Sequence, residues 1–141
     1  MLFPIEPYEG VGPIKLGMSI NAVREAVGAE VKTFKKSPSS EIPTDAFDLL
    51  GVYVYYKPPG ICQAVELASP AEPIFQNLPL LGRYFDEVMK WFETMDQGVE
   101  VDEFGLTSYK LGIGLYAPPT DDADGKLVES VIIFEKGYYT L

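Results

Sequence analysis

Leu50-Gly51-Val52-Tyr53-Val54-Tyr55, with Pro58-Pro59 close behind, is matched later in the chain by Leu111-Gly112-Ile113-Gly114-Leu115-Tyr116, with Pro118-Pro119 close behind. In the first stretch Val52 and Val54 fall on one face and Tyr53 and Tyr55 on the other, the period-two pattern of a strand. Upstream of each copy lies an apolar helical stretch that begins after a glycine, Gly17 in one case and Gly82 in the other. Downstream of each lies a second alternating strand. The element order repeats as well as the letters, which points to an internally duplicated unit.

Reading outward gives the elements of the first copy. Ser19 is placed to cap a helix, because its hydroxyl can accept a free amide of the first turn. Ile20, Val23 and Val27 follow at helical spacing, and Gly28 stands where a left-handed C-cap belongs. Val31 to Lys36 reads as an exposed strand and Ser37 to Thr44 as a loop. Val52 to Lys57 is a strand, Pro58-Pro59-Gly60 turns the chain, and Ile61 to Ala68 returns it with Ile61, Val65 and Leu67 on one face. Residues 69–79 hold three prolines and read as a connector.

The second helix carries a wider stripe: Leu81, Tyr84, Phe85, Val88, Trp91, Phe92 and Met95. Arg83, Asp86, Glu87, Lys90 and Glu93 fill the opposite side, and Gly98 is the expected stop. Strands near Val99–Phe104 and Lys110–Ala117 come next, and a hairpin through Asp121 to Gly125 leads to Leu127–Glu135. The expected fold is α+β: two tandem helix-plus-antiparallel-strand repeats forming one continuous curved sheet, with helices on one face. Residues 1–70 would be the first repeat with an N-terminal arm, and 71–141 the second, more acidic one.

Composition bounds the function. The chain has 141 residues, and its 47% hydrophobic share and eighteen aromatics suffice to bury a core. Met1 to Glu6 has neither a basic residue nor a long apolar run, so no secretory signal is expected. The single cysteine, Cys62, cannot form an internal disulfide, which favours a cytoplasmic setting. Basic residues number 11 and acidic 21, a net charge of −10. Residues 1–70 hold six Lys/Arg against eight Asp/Glu, and residues 71–141 hold five against thirteen. Such a field disfavours nucleic acid and anionic membranes as partners and favours a basic protein or a cation.

Catalytic chemistry is not expected. Histidine is absent, which removes the commonest general base and the commonest zinc ligand. Cys62 lies in a strand pattern without a histidine partner. Gly10-Val11-Gly12-Pro13 lacks the lysine and preceding strand of a phosphate loop. Asp121-Asp122-Ala123-Asp124-Gly125 reads as a turn, since Glu129 and Glu135 do not fall at the bidentate position of a calcium loop. No catalytic residue, metal ligand or cofactor is assigned.

Gly17-Met18-Ser19-Ile20-Asn21-Ala22-Val23-Arg24-Glu25-Ala26-Val27-Gly28 resembles the helix-opening motif of the β-lactamase inhibitor protein family. It is also similar to the motif of the small lipoprotein of the outer-membrane β-barrel assembly machine. The second copy keeps Gly82 and Val88 but has Arg83-Tyr84 in place of Met-Ser/Thr. The resemblance implies a tandem α+β fold whose sheet is a docking surface for an enzyme. Small acidic immunity proteins that neutralise bacterial toxins offer an analogy of the same kind.

The tyrosines carry the functional expectation. Tyr53 and Tyr55 share a strand face, and Tyr116 matches Tyr55 in the other copy. Tyrosine supplies large contact area with a polar tip and is enriched at interfaces. The leading expectation is a cytoplasmic protein-binding module, an immunity protein or inhibitor that blocks a basic protein such as a toxin enzyme. Tyr53, Tyr55 and Tyr116 would supply buried contacts, and Glu100, Asp102, Glu103, Asp121 and Asp122 would speed encounter. The alternatives are an assembly or scaffold module like the lipoprotein, or a small-ligand-binding domain.

Overall fold

The computed structural model describes residues 1–35, 37–39 and 42–139. Lys36 in the first expected strand, Ser40 and Glu41 in the expected loop, and Thr140 and Leu141 at the end of the second expected repeat lie outside the described residues. The chain opens with three short strands, β1 (Leu2–Glu6), β2 (Gly10–Val11) and β3 (Ile14–Lys15). Helix α1 (Ile20–Val27) is followed by β4 (Lys32–Phe34), β5 (Thr44–Phe47), β6 (Val52–Lys57) and β7 (Ile61–Ala68). Two strands then intervene, β8 (Glu72–Phe75) and β9 (Leu78–Pro79). Helix α2 (Phe85–Met95) is followed by β10 (Glu100–Asp102), β11 (Gly105–Ser108), β12 (Ile113–Tyr116) and β13 (Ser130–Phe134).

The protein is mixed α+β, with two helices and two mostly antiparallel sheets among the described residues. One sheet has eight strands in the order β10-β11-β12-β13-β7-β6-β5-β4. The other has five, in the order β3-β2-β1-β8-β9. This corrects the expectation of a single sheet. Residues 69–79, read as a connector because of their prolines, hold β8 and β9, and β8 pairs in parallel with β1. Pro73 lies opposite Phe3 at that pairing. Each helix is followed by four strands rather than three, because β5 and β11 went unread. Strand pairing crosses residue 70 twice, at β1–β8 and at β7–β13.

Local chemistry explains the first helix. The Ala22 amide donates to the Ser19 hydroxyl at 3.1 Å, and Gly28 closes the helix in the left-handed conformation, φ 63°. The second helix stops differently. Asp96, not Gly98, is its C-cap, and its carboxylate accepts the Gly98 amide at 2.9 Å and the Ser108 hydroxyl at 2.7 Å. A side-chain acceptor two residues upstream of a free amide does the work the glycine was expected to do.

The helices are anchored by different forces. Helix α2 buries Phe85, Val88 and Phe92, while α1 fully buries only Val23. At about 1.5–3 kcal/mol per buried apolar side chain, burial holds α2 more strongly than α1. Helix α1 is tied instead by Arg24, whose guanidinium donates to both oxygens of buried Asp45 at 2.9 and 2.7 Å. Tyr56 donates its hydroxyl to the same carboxylate at 2.8 Å. That phenol is held above its ordinary range, first by burial and then by Asp45. Among the described residues no helix is long and apolar enough to cross a membrane.

Register fixes the faces of the eight-stranded sheet. Phe47, Val52, Leu67, Val131, Leu115 and Leu106 form one cross-strand row, and all are buried. Asp45, Val54, Val65, Ile133, Ile113 and Ser108 form the next row on that face. Arg24 of α1 and Asp96 at the end of α2 bond the two ends of this second row, so both helices lie on this face. One face assignment from the sequence fails. Tyr56 pairs with Cys62 while Val54 pairs with Val65, so a bulge adds one residue to β7. The bulge turns Cys62, rather than Ile61, into the core. Burial pushes the Cys62 thiol up to about 12.

Candidate functional site: the open face of the eight-stranded sheet

The rows between those two face away from the helices. The central one runs Lys32, Ala46, Tyr53, Glu66, Ile132, Gly114, Thr107 and Glu100, one residue from each strand. Beside it run Ala68, Ser130, Tyr116, Gly105 and Asp102 on one side, and Tyr55, Ala64 and Phe134 on the other. Five of the eight residues assigned from the sequence, Tyr53, Tyr55, Tyr116, Glu100 and Asp102, therefore share this face.

Glu103, Asp121 and Asp122 do not join them. Glu103 sits in the β10–β11 turn, where its carbonyl accepts the Lys126 ammonium at 2.6 Å. Asp121 and Asp122 lie on the long loop of the hairpin that joins β12 to β13. Past Gly125 that loop pairs with the approach to α2: Phe85 donates to the Lys126 carbonyl at 2.8 Å and Val128 to the Arg83 carbonyl at 2.9 Å. The aspartate turn itself is a local cap, with the Asp124 amide on the Asp122 carboxylate at 3.0 Å.

One end of the open face is roofed by rings. Phe134 points to this side yet is buried, because Tyr8, Tyr109, Tyr138 and Tyr139 close over it at centroid distances of 5.0 to 6.3 Å. Tyr8 donates its hydroxyl to the Tyr109 carbonyl. Tyr55 donates its hydroxyl to the Glu66 carboxylate at 2.5 Å. Burial first, and Glu66 second, hold that phenol above its ordinary range. Burial likewise raises Tyr53, Tyr138 and Tyr139. These phenols are neutral hydrogen-bonding groups at any ordinary pH.

Toward β10 the face opens into a groove of about 340 Å³. Its floor includes the backbone at Gly105 and Gly114, which carry no side chains, with Ile132 Cγ2 2.9 Å from where a Gly114 Cβ would stand. A Cβ at Gly105 would lie 1.8 Å from the Leu115 carbonyl, and its φ of +148° is closed to other residues, so the floor is fixed. Phe104, Tyr116, Ile132 and Tyr139 form the walls, with Glu66 and Ser130 toward β7 and Asp102 toward β10. Ser130 donates to Glu66 Oε2 at a long 3.4 Å, and Oδ1 of Asp102 accepts the Phe104 amide at 2.8 Å. Among the described residues no ion pair satisfies Glu66, Glu100 or Asp102.

A larger hollow of about 530 Å³ lies on the five-stranded sheet, lined by Leu2, Ala71, Ile74, Pro79 and Leu81 among others. Its one acid, Glu72, is 3.5 Å from the N-terminal ammonium. The groove converges polar groups on aromatic walls and the hollow does not, so the groove is the better candidate. Glu66, Ser130, Gly105 and Gly114 were not singled out from the sequence. The available signals were a carboxylate inside the apolar run Ala64-Val65-Glu66-Leu67 and a glycine inside the strand pattern at 114.

Compared with models of known protein families, with curated proteins and with solved structures, the chain matches none. What the geometry defines is a class: an acidic, two-helix protein whose widest sheet leaves one face free of helices.

Proposed function

We propose that the chain is a protein-binding module that docks this open face on a basic partner, in the leading case a toxin enzyme that it neutralises as an immunity protein or inhibitor. The observation that carries the reading is the convergence of Tyr53, Tyr55 and Tyr116 with Glu66, Glu100 and Asp102 on one helix-free face, with no cation paired to these acids among the described residues. Aromatic area with charge of one sign is the composition that favours a partner of the other sign. A cytoplasmic setting accords with the single, buried thiol.

A tandem origin supports the link to inhibitor-like architecture. Gly51 and Gly112 have φ of 72° and 69°. The Gly51 carbonyl accepts the Ala68 amide at 2.8 Å, and the Gly112 carbonyl accepts the Phe134 amide at 3.1 Å. Val52 pairs with Leu67 as Ile113 pairs with Ile133, and Val54 with Val65 as Leu115 with Val131. On this reading residues 1–70 and 71–141 each carry one helix and four strands of one ancestral unit. The eight-stranded sheet is then two halves joined at β7–β13.

The test is kinetic. With a candidate basic toxin, reversing charge at Asp102 and Glu103 should lower the association rate about tenfold and flatten its salt dependence. Reversal at Glu6 and Glu9, far from this face in the pairing order, should do less. A rate indifferent to salt and to both pairs would overturn the reading. A small-ligand-binding domain is the second reading, favoured by a groove volume at the low end of the range for ligand pockets. It predicts a saturable small molecule bound in the absence of any protein partner.

A further inference from the structure

We propose that the groove floored by Gly105 and Gly114 is the seat for one arginine side chain presented by the partner, its guanidinium laid against the Tyr116 and Tyr139 rings and bonded to Glu66. This rests on the docking reading above and sharpens it from a basic surface to one basic residue.

Three features select the occupant. The floor is low because Gly105 and Gly114 carry no side chains of their own; Ile132 Cγ2 lies 2.9 Å from where a Gly114 Cβ would stand and gives the floor an apolar edge. The walls are aromatic and half-exposed: Phe104, Tyr116 and Tyr139 are 49%, 46% and 47% exposed. A ring face attracts a cation, and guanidinium is planar and weakly hydrated, so it stacks where a lysine ammonium would have to shed tightly held water. Glu66 supplies the anion. A carboxylate offers about four acceptor sites. Tyr55 takes one on Oε1, and among the described residues Oε2 has the long Ser130 contact, so the carboxylate has room for donors from the groove side. Asp102 at the far end adds attraction without competing for the same hydrogens. A neutral or anionic occupant meets two carboxylates that, among the described residues, are in no ion pair, and is disfavoured.

The experiment is an amide-resolved NMR titration of the isotope-labelled full chain. The probe is a capped Gly-Arg-Gly peptide. Its citrulline analogue has the same shape without charge, and a capped lysine hexapeptide is the third ligand. Saturable shifts at Gly105, Gly114 and Tyr116 are expected with the arginine peptide, with about tenfold weaker binding of the citrulline analogue. Glu66→Gln should weaken the arginine peptide about tenfold, as loss of one charged hydrogen-bond partner does, while keeping an acceptor for Tyr55. Glu93→Gln, on the exposed side of α2, should change nothing. Tyr116→Ala, at an exposed ring, provides a second variant that should weaken binding without unfolding the chain.

Equal affinity for arginine and citrulline, or saturable shifts confined to other surfaces, would overturn the seat. If the lysine hexapeptide shifts open-face amides and arginine shows no preference for the groove, the seat falls and the docking face stands. If neither peptide perturbs the open face, both fall.

Discussion

The two ends of the eight-stranded sheet share a pairing pattern and use it for opposite purposes. At the β4–β6 end the core face holds a buried carboxylate, Asp45, clasped by Arg24 and Tyr56, and the open face is filled by Tyr53 and Tyr55. At the β10–β12 end the core side holds the smaller Asp96–Ser108 pair, and the open face is bare at Gly105 and Gly114. One end concentrates its polar chemistry under a helix, where it fixes structure. The other leaves it beside a groove, where it can meet a ligand. A strand pattern says where side chains point; only their size and charge say which face is used.

The contrast is sharpest at Thr44 and Gly105, which stand in matching places opposite Phe34 and Asp102. Gly105→Ala should cost about 3 kcal/mol or more, since a forbidden φ and a backbone clash coincide. Thr44→Ala should cost about 1 kcal/mol. Similar midpoint shifts in urea unfolding would mean the groove floor is not held by the Gly105 conformation.

Next in size is the difference between the helix ties. Arg24→Met leaves Asp45, at 1% exposure, with Tyr56 as its remaining side-chain donor among the described residues, and should cost about 3 kcal/mol. Ser108→Ala leaves Asp96 its Gly98 amide, and should cost about 1 kcal/mol. Chemical denaturation of both variants measures the gap, and a reversed order would break the comparison.

Cys62, on the strand that joins the ends, adds a pH dependence. Its thiol is raised in the folded state, so the unfolded chain gives up this proton first. The contribution is fully present below about pH 9, the ordinary thiol range, and is lost as pH rises toward about 12. Cys62→Ala should remove up to about 1.4 kcal/mol per pH unit of alkaline slope over that window. An unchanged slope would assign the alkaline loss to the raised tyrosines alone.

The smallest effect separates Tyr55 from Tyr116. Tyr55→Phe loses the bond to Glu66 and should cost about 1 kcal/mol. Tyr116→Phe, at a half-exposed ring, should fall within about 0.5 kcal/mol of wild type. Equal costs would mean that the Tyr55 bond to Glu66 adds nothing to the folded state.

What could be read in the chain was what is decided locally. Ser19, Gly28 and the alternation from Val52 to Tyr55 are short-range signals, and the structure keeps each of them. Strands β5 and β11 escaped because Thr44, Asp45 and Ser108 are polar yet buried, with partners that lie far away in sequence or past a turn. Pairing of β1 with β8 across the first half of the chain leaves no trace near either strand, and the three prolines of residues 69–79 read as a connector instead. The bulge in β7 cannot be counted from periodicity, which assumes an unbroken pleat. For the candidate site, the tyrosines and the strand acids were legible as residue types. The groove was not, because it is made by missing side chains on neighbouring strands.

The β7–β13 seam also sets when the protein can become itself. Strand β7 is complete once Ala68 has been made, but its open edge has no neighbour until Ser130–Phe134 emerges near the other terminus. Strand β1 likewise waits for Glu72–Phe75. An apolar edge such as Ile61–Ala68 is a template for pairing with other chains while it stands uncovered. The nascent chain therefore carries its stickiest edge while residues 69–129 are made, and a truncated product ending before Ser130 would carry it permanently. Quality control in the cell would meet this protein as a chain that either pairs Ser130–Phe134 onto that edge or aggregates.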